Sequence, residues 1–127
     1  MEIEEQVLSI EQMKHLQELG VDTSDASMCW VAGEDTSTDE EEWNLIIPNN
    51  FLMPYNIPTY TIGDLIEKLP KHFYIKEAQI SMVAINGSGA FEVWYDKVPK
   101  SSKSDGTIKN ALYKLLCWVA EKHKELL

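Results

Sequence analysis

The residues best suited to chemistry are few and scattered. Three histidines (His15, His72, His123) and two cysteines (Cys29, Cys117) are spread over 127 residues. Histidine catalysis needs a partner at hydrogen-bond range, and a metal site needs ligands at helical or turn spacing. No two of these imidazoles share a helical face at such a spacing. His15 falls on the polar side of a first helix, and His123 near the end of a last one, where partial positive charge is favourable. Cys29 lies in the apolar run MCWV, where a buried, inert thiol is expected. Neither cysteine has a CxxC partner or a nucleophile motif around it. Asp35, Ser37 and Asp39 alternate as calcium ligands do, but Glu40 stands where a calcium loop needs glycine, so a solvated acidic loop is the reading. Gly87-Ser88-Gly89 joins two strand-like runs and lacks the GK[ST] ending of a phosphate loop. It reads as a hairpin turn. Catalytic residues, metal ligands and cofactors are therefore all expected to be none.

The elements around these residues are easier to place. Ser9-Ile10-Glu11-Gln12 has the form of a capping box, with Leu8 and Met13 placed as a hydrophobic staple. Ile10, Met13, Leu16 and Leu19 then recur every three residues, and Gly20 is a natural stop, so a helix is expected over about residues 10–19. Residues 28–32 (MCWVA) and 43–47 (WNLII) are short β-prone runs separated by the acidic stretch 33–42. They predict a hairpin with a long loop and with Trp30 and Trp43 on one face. Residues 48–60 carry three prolines and are excluded from a central strand or helix. Thr61 caps a second helix whose apolar stripe is Ile62, Leu65, Ile66 and Leu69, with Asp64 at its positive end and Pro70 ending it.

A second hairpin follows. A two-residue Gly87-Ser88 turn suits type II′ geometry and pairs Ile85 with Ala90, Ala84 with Phe91, Met82 with Val93 and Ile80 with Tyr95. That register collects Ile80, Met82, Ala84, Phe91, Val93 and Tyr95 on one face. Residues 74–79 are candidates to extend its first strand. Residues 97–106 form a Lys-rich connection expected to be flexible. Thr107 or Asp105 then caps a helix reaching about Glu125, with Ile108, Ala111, Leu112, Leu115, Leu116, Val119 and Leu126 as its core stripe. Tyr113 and Cys117 lie one turn apart on its nominally polar back. So wide an apolar arc implies contact on two sides, with the 51–60 loop or a second subunit as the other contact. The order α-ββ-α-ββ-α predicts a single α+β domain with an antiparallel, four-stranded sheet and helices packed on one face.

Composition sets the function classes. The chain is 44% hydrophobic and 25% charged, with four Trp, five Tyr and three Phe, which suits one ordinary globular domain. No apolar run approaches a bilayer span, and Met1-Glu2-Ile3-Glu4-Glu5 has the wrong charge for a signal peptide, so neither membrane association nor export is expected. Eleven Lys and no Arg face 21 acidic residues, and thirteen of those acids lie in residues 1–50 against Lys14 alone. Such a chain repels phosphate backbones and lacks the guanidinium fork that clamps them, so direct nucleic-acid binding is not expected. A basic protein surface is an admissible partner. An acidic mimic of nucleic acid, seated in a DNA-binding protein's groove, is a special case.

The runs SIEQMKHLQELG, the W-V…W-x-L pair, YTIGDLIEKLP and KNALYKLLCWVAEK resemble a group of small acidic proteins encoded in gut Bacteroides-type genomes and their phages or prophages. The resemblance covers about two-thirds of the chain, and each of its motifs is structural. It implies a cytoplasmic setting and a link to mobile elements, and it brings no activity or catalytic residues with it. The leading expectation is a non-enzymatic interaction protein. Trp30, Trp43, Phe51, Tyr55 and Tyr60 would form its aromatic patch, and Asp39, Glu40, Glu41 and Glu42 its electrostatic rim. The aromatic-rich stretch Phe51–Tyr60 must bury its side chains or present them to a partner, and burial is the default. The alternatives are a ligand binder or enzyme with a pocket under the 51–60 loop, and a homodimer joined through Tyr113 and Cys117.

Overall fold

The computed structural model describes residues 6–32, 43–46, 57–73, 76–77, 80–85, 90–96, 98 and 101–127. Backbone alone is described for residues 31–32, 43–46, 72–73, 76–77 and 81–85. The first helix, α1 (Ile10–Glu18), is held at its start by the expected capping box. The Ser9 hydroxyl accepts from the Gln12 amide at 3.2 Å, and Gln12 Oε1 accepts from the Ser9 amide at 2.9 Å. Its end is a Schellman motif. Gly20, at φ +89°, donates to the Gln17 carbonyl, and Val21 donates to the Leu16 carbonyl, both at 3.0 Å. Leu16 and Val21, the apolar pair of that motif, are both buried.

Strands β1 (Met28–Ala32) and β2 (Trp43–Ile46) pair antiparallel, as their β-prone composition requires. A third strand, β3 (Ile57–Thr59), pairs with the other side of β1 and gives the order β2-β1-β3. β3 contains Pro58, which a ladder tolerates at an edge, the place β3 occupies. Beyond it, Val7 bridges Thr61, and the Leu8 amide donates to the Tyr60 carbonyl at 3.0 Å. The segment before α1 is thereby stitched to the segment before the second helix. That helix, α2 (Ile62–Lys68), opens with a capping box between Thr61 and Asp64 and closes as the chain turns extended at Leu69.

Two two-residue strands, β4 (His72–Phe73) and β5 (Lys76–Glu77), pair antiparallel with each other, so Lys76 and Glu77 belong to this pair; residues 74–75 and 78–79 of the stretch expected to extend the next strand lie outside the described residues. β6 (Ile80–Ile85) and β7 (Ala90–Tyr95) pair in the register the turn predicts, from Ile80↔Tyr95 through Met82↔Val93 and Ala84↔Phe91 to Ile85↔Ala90. The turn residues 86–89 lie outside the described set. β8 (Lys103–Asp105) adds to β7, giving the order β6-β7-β8. The last helix, α3 (Ile108–Lys122), is capped by Thr107, whose hydroxyl accepts from the Asn110 amide. It ends at Lys122, three residues short of the expected limit, and a single 3-10 turn over Lys124–Leu126 follows the cap residue His123.

The chain is thus a single small α+β domain, but its strands divide differently from the expectation. Among the described residues, the two hairpins belong to separate three-stranded sheets rather than to one four-stranded sheet. The inner strand of each hairpin is already paired on both edges: β1 by β2 and β3, and β7 by β6 and β8. Both added strands come from segments read as loops. The 97–106 connection is therefore partly strand, and it also contains the buried Ser101. One core joins the elements: Met13 and Leu16 of α1, Leu65 of α2, Val93 and Tyr95 of β7, and Leu112, Leu115, Leu116 and Val119 of α3. α3 packs against β7, β8, α2 and α1, so its wide apolar arc has contacts within the chain.

Candidate functional site

Cys29 lies on β1, His15 on α1, and Cys117 and His123 on α3 and at its end; His72 falls in β4, where backbone alone is described. Cys29 is fully buried in β1, and that burial pushes its thiol up from the ordinary range. Cys117, half-buried on the back of α3, is pushed up to about 11 by desolvation, against a hydrogen bond from Tyr113 that pulls it down. Burial, followed by the contact with Cys117, raises the Tyr113 phenol well above its usual value. At neutral pH, Cys29 and Cys117 are protonated and poorly nucleophilic. His15 lies on α1 with its ring in a T-shaped contact with that of Tyr113, the centroids 6.3 Å apart, and its Nδ1 is 3.9 Å from Glu18. His123, at the end of α3 as expected, packs its ring 5.0 Å from that of Trp118, and Lys103 Nζ stands 5.6 Å from the same indole. This second cluster pins β8 to the end of α3.

A second polar assembly fastens residues 22–27 to α2. Tyr60, 0% exposed, donates its hydroxyl to the Asp22 carbonyl at 2.9 Å and to Asp25 Oδ1 at 2.6 Å. Lys68 reaches the same two groups, with Nζ 2.9 Å from the Asp22 carbonyl and 3.0 Å from Asp25 Oδ2. Burial first, and then the Asp25 hydrogen bond, hold the Tyr60 phenol far above its ordinary value. Asp64 Oδ2 accepts from the amide and hydroxyl of Ser27 as well as from the Thr61 amide that it caps. The phenol, the ammonium and the Asp64 carboxylate each hold backbone, and the Asp25 carboxylate holds the phenol and the ammonium. A general base needs an open valence toward a substrate, and Tyr60 is enclosed.

The expected site residues have distinct fates. Trp30 is half-buried, and its indole N–H donates to the Leu8 carbonyl at 3.1 Å, beside the Thr59 hydroxyl, which donates to the same oxygen at 2.7 Å. The register Trp30↔Leu45 and Ala32↔Trp43 puts positions 30 and 43 on one face of the pair, as the sequence implied. Tyr60 is a correction: a fully buried ring whose hydroxyl is spent inside the chain contributes nothing to an exposed patch. Phe51, Tyr55, Asp39, Glu40, Glu41 and Glu42 lie outside the described residues, as does the 51–56 part of the suggested pocket. Tyr113 and Cys117 are half-buried and packed on the core. α1 already reaches this side of α3 through His15 and through Gln12 Nε2, which donates to Asn110 Oδ1 at 2.9 Å.

The sequence did not point to Lys68, Asp25 or Ser101. Ser101 Oγ accepts from the Tyr95 amide at 3.0 Å and donates to the Val98 carbonyl at 2.8 Å, tightening the turn between β7 and β8. Among the described residues, no three of His, Cys, Asp and Glu converge as a metal site would require, and no helix is long and apolar enough to cross a membrane. Compared with protein families, curated proteins and solved structures, the chain matches none.

Proposed function

We propose that this chain is a small, non-enzymatic, protein-interaction module of the cytoplasm, encoded by gut Bacteroides-type bacteria or their phages, that offers its acidic N-terminal half to a basic protein surface. The supporting observation is how the chain divides its groups. Its described thiols and the phenols of Tyr60, Tyr95 and Tyr113 are held protonated by burial, while Glu11, Glu18, Asp22 and Asp25 stand exposed on and just after α1. The described thiols and phenols thus serve the fold, while the described carboxylates of the first 50 residues, Glu11, Glu18, Asp22 and Asp25, are exposed. Trp30 and Trp43, with Phe51 and Tyr55 farther along the chain, are the apolar groups this reading assigns to the same surface; Tyr60 is withdrawn from it. The setting rests on the motif resemblance and on unpaired cysteines.

Electrostatic capture has a definite signature, since attraction between exposed charges is screened within about 10 Å at 0.1 M salt. The wild-type protein, immobilised and exposed to lysate from a gut Bacteroides strain, should retain a basic protein at low salt and release it near 0.5 M. A variant with Asp39→Asn, Glu40→Gln, Glu41→Gln and Glu42→Gln should retain much less. Capture that ignores both salt and charge removal, or no specific capture, would overturn the proposal.

A further inference from the structure

We draw no further inference here: the strongest candidate, the outer edge of the uncharged strand Ile80–Ile85 in the β6-β7-β8 sheet, is unpaired only as far as the described residues extend, and nothing in the structure shows what covers it.

Discussion

Gly20 offers the sharpest test of the α1 terminus, because helix propensity and the observed geometry give opposite signs. On propensity alone, Gly20→Ala at the end of a helix should be neutral or stabilising by up to about 1 kcal/mol. The structure places Gly20 at φ +89°, a conformation that costs an L-residue about 1–2 kcal/mol. An added Cβ would also meet the end of the Lys124 side chain, with Cε only 2.6 Å away. That chain end is flexible and can swing aside cheaply, but doing so withdraws an ammonium from the negative end of α1, worth about 0.3–1 kcal/mol. The expected cost of Gly20→Ala is therefore about 1.5–2.5 kcal/mol, a fall of several degrees in Tm for a domain of this size. Lys124→Ala alone should cost less than about 1 kcal/mol. The double variant should cost less than the sum of the two, because the alanine no longer has a lysine to displace. Urea unfolding of the three variants measures all of this, and a neutral or stabilising Gly20→Ala would refute the left-handed cap.

Tyr60→Phe keeps the buried ring and removes the hydroxyl shared by Asp22 and Asp25; with Lys68 still on both acceptors, it should cost about 1–2 kcal/mol in urea unfolding, and no change would contradict the lock. The thiols should be inert in the native protein. Cys117, raised from 9.0 to about 11, should react with a disulfide reagent at neutral pH roughly a hundredfold more slowly than an ordinary thiol, and Cys29 more slowly still until the protein unfolds. Fast native labelling of either would count against the burial. In alkali the sign is fixed by the direction of the shifts: Tyr60, Tyr95, Tyr113 and both cysteines bind protons more tightly when folded, so their contribution is complete below the unfolded values near 9 and 10 and is lost above them. Stability should fall by up to about 1.4 kcal/mol per pH unit for each such group, and the ultraviolet absorbance of these three tyrosinates should rise only as the fold is lost. Their full ionisation near pH 10 with native circular dichroism would refute it.

What could be read from the sequence was local. The partners of the Ser9–Gln12 box stand three positions apart and were visible in the string, whereas at the second helix the sequence marked Thr61 as the cap and Asp64 only as a favourable charge, and the structure adds the reciprocal bond between them. The β6–β7 register followed from a turn whose residues restrict backbone geometry, and each later pair was then determined in steps of two. The two added strands carried no such signal. Ile57-Pro58-Thr59 is interrupted by a proline and Lys103-Ser104-Asp105 has poor strand composition, and they become strands because β1 and β7 each present an edge at the right place. The polar contacts that fix the N-terminal half were equally hidden: Thr59 to Leu8 spans 51 residues, Lys68 to Asp25 43, and Tyr60 to Asp25 35. No periodicity encodes a pair that far apart.

The same reasoning bears on the back of α3. Tyr113 and Cys117 were read as surplus apolar surface because a helix in water needs only one such stripe. In the fold, α3 lies between elements: β7, β8 and α2 take the main stripe, while α1 comes up against Tyr113 and Asn110. The wide arc is then what a central helix requires, and it ceases to be evidence for a second subunit. Surface left by that arrangement on α1 and the turn after it is carboxylate-rich, with Glu11, Glu18, Asp22 and Asp25 exposed. Among the described residues, burial keeps the thiols and the Tyr60, Tyr95 and Tyr113 phenols inside the fold, and recognition of a basic partner surface is the use proposed above for the uneven charge.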